Sequence, residues 1–348
     1  LTLGVAMKLI ITVDTEADNQ WEPGATLTTN NIAHVPRFQA LCERFEFPPT
    51  YLCTHEVVTS ADFDDTLRRS MRAGRAEIGA HLHPWSTPPF DAAWDEGGRA
   101  RTYPSELPDD LLHAKLTTLT DAIGDRLGHR PTSYRAGRWG FSPSQVKVLS
   151  DLGYAADCSV TPLVSWARDR GLRDGGPDFT RAPLAPYSLS RRNVCRAGSS
   201  ELLEIPVTIV HTSSLMRRSR RFRRWFRRHQ RSWTARAGDR FFRLAPQWFR
   251  PYPQMSAERL IAVYETASAL GVPAVEMMLH SSELMPGGSP YNRTHAAVDD
   301  LFRRLERTFA HLASRGVEGM TLTEFARPRT ATSGTTSRRS VEAYIARS

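Results

Sequence analysis

The chain has no apolar run long enough to cross a bilayer. Its first apolar stretch, Leu9 to Val13, is far shorter than the roughly 20 residues that a membrane helix needs. Asp14 and Glu16 follow where a secretory leader would need a longer apolar region and a small-residue cleavage site, so the run reads as a first strand. Cysteine is scarce. Cys42, Cys53, Cys158 and Cys195 show no C-x-x-C spacing, so neither a disulfide framework nor a zinc-thiolate site reads from them, and reduced thiols in a cytoplasm are expected. No G-x-G-x-x-G follows the first strand, which weakens a dinucleotide-binding reading. Finally, the formal charge of +9 is not spread over the molecule. Nine arginines lie between Met216 and Ser232. Without that segment the chain is neutral, so its overall charge says little about a partner.

What is present suits a globular protein of one large domain. The 348 residues are 40% apolar and 24% charged, enough to bury a sizeable core. Several segments repeat one pattern: an amphipathic helix, a glycine just past its end, a short β-rich run, then a polar residue. Residues 68–73 end at Gly74 and lead into 76–80 and His81. Residues 111–127 end at Gly128 and lead into 132–134 and Arg135. Residues 146–152 end at Gly153 and lead into 154–156 and Asp157, and 260–270 end at Gly271 and lead into 274–279 and His280. Glycine is favoured just past a helix because that position adopts φ > 0. Ser142 with Gln145 predicts a capping box. A helix over 296–314, closed by Gly316, and a last strand near 317–322 bring the count to about seven strand units. Alternating strands and helices predict a parallel α/β sheet, best read as an irregular (β/α)7-type barrel whose functional groups cluster at the carboxyl ends of the strands. The predicted barrel spans 7–326. Residues 216–250 form a basic helical insertion, and 327–348 a Pro/Thr/Ser/Arg-rich flexible tail, with a short helix near 341–346.

The polar candidates follow from strand geometry. In Thr12-Val13-Asp14-Thr15-Glu16 the period of two turns Asp14 and Glu16 to one side. The blander alternative is that one of them caps the next turn. In His81-Leu82-His83-Pro84-Trp85 two histidines two apart face one side and offer two imidazoles to a metal. With a carboxylate they make a 2-His-1-carboxylate set that suits Zn²⁺, Fe²⁺ or Co²⁺ and leaves positions open. A structural pair of histidines is the alternative. Arg135 at a strand end can hold Asp14 ionised as a general base, or form a structural ion pair. His280 ends a strongly apolar strand, and its imidazole titrates near neutrality, as a catalytic acid requires. Asp157 is a weaker candidate, for substrate contact or for a cap. Trp21, Trp85 and Trp139 can stack on a sugar ring or fill a core.

The order of these motifs resembles the polysaccharide deacetylase family, also known as the NodB homology domain or carbohydrate esterase family 4, over about Met7 to Phe325. Thr12-Val13-Asp14 resembles the family's T-F-D-D motif. Glu77 to His81 resembles its paired-histidine motif, Arg135 to Trp139 its arginine motif, Asp157 to Ser159 its aspartate motif, and the run ending at His280 its L-x-x-H motif. Two positions depart. Thr15 stands where the family has a second Asp, and the second histidine falls two residues after the first instead of four. The D-T-E and H-L-H-P-W patterns are similar to a divergent subgroup encoded near cell-surface polysaccharide genes. The resemblance implies a metal-dependent hydrolase of an N-acyl sugar. Asp14 would be the base, His280 the acid, and Arg135 the partner of Asp14. Glu16, His81 and His83 would be metal ligands, with Zn²⁺ first and Co²⁺, Fe²⁺ or Ni²⁺ as alternatives. Trp85, Arg138, Trp139 and Asp157 would be substrate contacts. The implied partner is a carbohydrate, free or linked to lipid or nucleotide. Two other readings stand beside this one: a hydrolase of cyclic ureide amides on the same fold, and a non-catalytic glycan-binding protein.

The basic segment carries Phe222, Trp225 and Phe226 at helical spacing among its arginines and reads as an amphipathic helix. Residues 217–231 are expected either to meet an anionic membrane surface or to cover the barrel with a solvated face. Nucleic acid is the weakest of these readings, since no nucleic-acid motif accompanies the arginines. The expected place is the cytoplasm, peripheral to the inner face of the membrane.

Overall fold

The structure, a computed structural model, describes residues 7–20, 26–63, 67–95, 102–229 and 244–327. Its strands are β1 (Lys8–Thr15), β2 (Pro49–Cys53), β3 (Glu77–Leu82), β4 (Ser133–Ala136), β5 (Ala156–Asp157), β6 (Tyr187–Ser188), β7 (Leu203–Glu204), β8 (Ile209–Val210), β9 (Gln247–Trp248), β10 (Ala274–His280) and β11 (Glu318–Gly319). The main sheet runs β10-β1-β2-β3-β4-β5-β7-β6, with β11 also beside β1. Eight of these strands are parallel, and β6 alone pairs antiparallel, with β7. This is the irregular α/β barrel expected from the alternation of strands and helices.

The period of two explains how β1 serves both faces of the sheet. Leu9, Ile11 and Val13 point outward into the main core, the cluster that also takes in the buried faces of helices such as Asp109–Leu127 and His295–Ser314. Ile10 faces the other way, into a small cluster with Leu52, Cys158, Ile205 and Ala274. Thr12 and Asp14 continue along the Ile10 face, so the apolar floor gives way to polar groups toward the strand's carboxyl end.

The seam between β7 and β10 is spanned by residues 205–208. Ile205 N–H donates to the Asp157 carbonyl, Val207 to Val160, and Thr208 to Glu276 at 3.2 Å. Glu276 N–H returns a bond to Thr208 Oγ1 at 2.8 Å. These residues run parallel to β5, so the chain that continues into β8 leaves the barrel at the carboxyl ends of the strands. The insertion therefore begins on that face.

The five helix-terminal glycines, Gly74, Gly128, Gly153, Gly271 and Gly316, all adopt positive φ, as the spacing predicts. Three local expectations are corrected. Ser142 occupies the N-cap of helix Pro143–Asp151 but makes no side-chain cap bond. Gln145 turns inward, donating to the Gly140 carbonyl at 2.7 Å and accepting from the Tyr134 hydroxyl at 2.9 Å, with only a long 3.4 Å contact to Ser142 Oγ, because those buried groups need partners. The last strand stops at Gly319, since Thr321 and Glu324 form a capping box that starts a helix over Leu322–Ala326. The basic segment forms two helices, Ser214–Arg218 and Arg220–His229, parted at an extended Ser219. Trp21, the expected tail from residue 328 and its helix near 341–346 lie outside the described residues.

Candidate metal centre

Register places the polar groups. Asp14 on β1 sits beside His280 on β10, and His81 on β3 sits beside Arg135 on β4. Glu16 and His83 lie just past the ends of β1 and β3. The donor atoms of Glu16, His81 and His83 all fall within 4.8 Å of one another, and all three residues are buried. Glu16 Oε2 is 3.3 Å from His83 Nε2 and 3.6 Å from His81 Nε2. Asp14 Oδ2 lies 4.0 Å from His81 Nε2 and 3.8 Å from His280 Nε2, and His280 Nε2 is also 3.8 Å from Glu16 Oε1. Thr15 stands apart from this group, its hydroxyl turned back to the Val13 carbonyl at 2.9 Å. The Glu16 backbone is pinned in turn. Asn31 Nδ2 donates to the Glu16 carbonyl and to Ser281 Oγ, both at 2.8 Å.

Arg135 forms the floor. It is fully buried, and its guanidinium donates to Asp14 Oδ1 and Glu276 Oε1, each at 2.6 Å, and to the Cys158 carbonyl at 3.0 Å. Burial alone would raise the Asp14 carboxyl, but Arg135, His81 and His280 outweigh it and bring it down to about 2. Asp14 is thus an anion at any physiological pH. Burial opposes a charge on His81, yet the Asp14 and Glu16 carboxylates raise its basicity on balance.

The donor set fits a divalent cation. His81 Nδ1 lies 3.0 Å from the Arg135 carbonyl, which can only accept, so Nδ1 carries the proton and the Nε2 lone pair is turned toward Glu16. On His83 the Gln20 amide occupies the equivalent place, 3.1 Å from Nδ1, and also reaches Glu56 at 3.1 Å. It is the amide nitrogen of Gln20 that faces both groups, so in this arrangement a neutral His83 carries its proton on Nε2, toward Glu16, and a cation at His83 Nε2 requires the amide to turn its oxygen to Nδ1. Trp85 stacks on His83 with ring centroids 4.3 Å apart. Gly137 completes the cradle, because a Cβ there would lie 2.5 Å from His83 Cδ2. The loop beyond is held by buried Lys115, whose ammonium donates to the carbonyls of Pro84, Thr87 and Pro89 at 2.7–2.9 Å.

His280 has partners that the motif reading did not name. Its Nδ1 is 3.0 Å from Glu283 Oε1 and 2.8 Å from an Arg250 nitrogen, and Arg250 donates to Glu283 at 2.6 Å. Nδ1 thus lies between a donor and an acceptor. With Arg250 donating, the proton of a neutral imidazole sits on Nε2; an imidazolium is anchored by Glu283 and also keeps Nε2–H. Either form presents a proton toward Asp14 and Glu16. Burial would raise the Glu283 carboxyl, but Arg250 and His280 hold it at about 2.

Arg250 belongs to the span that the sequence reads as insertion, and Glu276 to an apolar strand. Of the partners the motif reading missed, Glu276 and Glu283 carry a signal in the sequence and Arg250 does not. Glu276 is the lone acid in Ala274-Val275-Glu276-Met277-Met278-Leu279, and a buried charge requires a partner. Glu283 stands three residues after His280, at capping-box spacing.

The remaining candidates are dispersed. Trp139 lies over Arg135, with the guanidinium 5.1 Å from the ring, and neighbours Trp166 and Trp248. Arg138 and Trp139 both adopt positive φ, a strained turn of the kind that collects at functional sites. It directs Arg138 away from the histidines, to the Tyr103 hydroxyl at 3.3 Å and the Arg170 carbonyl at 2.9 Å. Asp157 is fully buried. Ser159 N–H and Oγ donate to its two oxygens at 3.0 and 2.8 Å. Burial raises both its carboxyl and that of neighbouring Glu204, helped at Glu204 by the Asp157 charge.

No family model matches the sequence, and no curated protein does. Solved structures do match. A protein from Mycobacterium smegmatis assigned as a polysaccharide deacetylase aligns at 18% identity over 97% of each chain, with a TM-score of 0.54. A glycoside hydrolase/deacetylase assignment from Parabacteroides distasonis aligns at 10% identity over 94% of this chain and 72% of that one, with a TM-score of 0.57. Puue allantoinase aligns at 16% identity over 96% and 94%, with a TM-score of 0.53. The likeness is one of architecture: the chain has the NodB-like polysaccharide deacetylase fold.

Proposed function

We propose that the protein is a metal-dependent hydrolase that removes an acetyl or other acyl group from the nitrogen of a sugar or polysaccharide precursor. The observation that carries this reading is the convergence of Glu16, His81 and His83 beside an Asp14 that Arg135 holds ionised. A divalent ion held by those three residues, Zn²⁺ first and Co²⁺, Fe²⁺ or Ni²⁺ as alternatives, supplies Lewis acidity to the acyl carbonyl and to the attacking water. Asp14 accepts the proton that the water gives up as its oxygen bonds to the acyl carbon. His280 Nε2 gives a proton to the sugar nitrogen as the C–N bond breaks, yielding a carboxylic acid and an amine. Glu283 and Arg250 orient His280, and Arg135 keeps Asp14 anionic. Trp85 and Trp139 border the centre and offer faces to a sugar ring.

The free thiols of Cys42, Cys53 and Cys158, all buried, accord with a reducing compartment, and a cytoplasmic site of action is part of the proposal. No helix among the described residues is long and apolar enough to cross a membrane. The test is acetate release from N-acetylated sugars supplied free, nucleotide-linked and lipid-linked. Wild type is expected to release acetate from at least one of them and His81→Ala from none. Equal turnover by both proteins rejects the reading. The allantoinase likeness supports a second reading, ring opening of a cyclic ureide by the same groups. Turnover of a cyclic ureide with no acetate release from any sugar selects it.

A further inference from the structure

The basic segment stands outside the chemistry above, yet it is built in a definite way. Between Glu204 and Asp239 the sequence has no acidic residue. Met216 and Phe226 are buried with Leu244 in an apolar cluster of their own, with Phe222 packed against it. The apolar face of these helices is therefore already occupied by the protein. At about 100° per residue, Arg221, Arg224 and Arg228 share one stripe on the opposite side of helix Arg220–His229, and all three are exposed, as are Arg217 and Arg218. Trp225 lies at the border between that stripe and the buried face. It is 44% exposed and stacks between Phe222 and His229, with ring centroids 5.5 and 5.2 Å away. Leu215, on the preceding helix, is 50% exposed.

A merely solvated helix commonly pairs its cations with acids three or four residues away. Here no acid is within reach along the segment, and arginines at those spacings repel one another. An anionic surface relieves that repulsion. Cations at phosphate level, with one Trp and one Leu at the edge, match the headgroup boundary of a bilayer.

The location is also specific. Residues 205–210 leave the barrel at the carboxyl ends of its strands, and the return limb pairs Trp248 with Ile209. The limbs are tied again by His211 Nδ1 and the Leu244 carbonyl at 3.0 Å. The return limb ends at Arg250, which touches His280. The basic face thus rises from the end of the barrel that carries the candidate centre.

We infer that the outward face of residues 214–229 docks on an anionic lipid bilayer, with phosphates on the Arg221/Arg224/Arg228 stripe and with Trp225 and Leu215 at the headgroup–acyl boundary. The inference is independent of the reaction proposed above.

Flotation of the full chain tests it, with vesicles of phosphatidylcholine alone or mixed with phosphatidylglycerol. Binding is expected only with the anionic lipid, and is expected to fall as salt rises. Each basic residue near such a surface is worth about fivefold in affinity, so combined Arg221→Gln, Arg224→Gln and Arg228→Gln should weaken binding roughly a hundredfold, with an unchanged melting temperature. Should that variant fail to fold, the salt titration and the lipid comparison on wild type decide. Equal binding to neutral vesicles, no binding to either kind, or a folded triple variant that binds like wild type overturns the inference. So does release from vesicles by a duplex oligonucleotide at equal phosphate concentration, which makes nucleic acid the partner.

Discussion

Arg135 and Asp14 meet at 2.6 Å in the floor of the centre, both buried. The arginine is the counterion that burial of Asp14 demands. Without it burial dominates, and the carboxyl moves up from about 2. Arg135→Met should therefore shift the acid limb of the pH–rate profile to higher pH, since a base that must be ionised loses its charge sooner. At neutral pH we expect kcat to fall by about 10²-fold or more. Stability should fall by about 3–5 kcal/mol, because Asp14 and Glu276 lose their shared cation. An acid limb that stays in place contradicts this role.

Gly137 sets the place of His83 through the side chain it lacks. Gly137→Ala would press a methyl against His83 Cδ2, 2.5 Å away, and still closer to the Leu82 carbonyl oxygen. The imidazole must move. Affinity for a divalent ion, read by chelator competition, should drop about 10- to 100-fold. Unchanged affinity in a folded variant would show that His83 contributes nothing to the site.

Glu283 gives a stability signature in acid. Its carboxyl is held at about 2 in the folded chain against an ordinary 4.5. A depressed folded value means that the stabilisation is complete above the ordinary value and drains away as pH falls from about 4.5 toward 2. The full contribution is about 3 kcal/mol. Urea unfolding of wild type and Glu283→Gln at a series of pH values should show a constant gap above about pH 5 that narrows below it. A gap independent of pH is incompatible with an ionised Glu283 paired to Arg250.

The strand–helix rhythm was legible because five of the helices end at a glycine in the left-handed region, a local requirement that leaves a local mark. The shared side of Asp14 and Glu16, and of His81 and His83, follows from the period of two along each strand, whereas Arg135 on β4 reaches Asp14 on β1 across the barrel interior, past the two strands β2 and β3 that lie between them. Contacts that depend on the return of a long excursion left no such trace. Arg250 reads in sequence as one more arginine of a basic segment, and only the pairing of β8 with β9 brings it to His280. Gln145 read as a cap until the unsatisfied Gly140 carbonyl drew it inward. Arg138 sits in the right motif, but two consecutive positive φ angles turn it toward Tyr103. Spacing alone does not report that.

The central claim is that Glu16, His81 and His83 hold a divalent cation. Metal analysis of purified protein, dialysed after loading with Zn²⁺, tests it most directly. The account predicts about one ion per chain in wild type and loss of that ion in His81→Ala and Glu16→Gln, with folding retained. A wild type that retains no metal, or variants that retain it fully, would contradict the account.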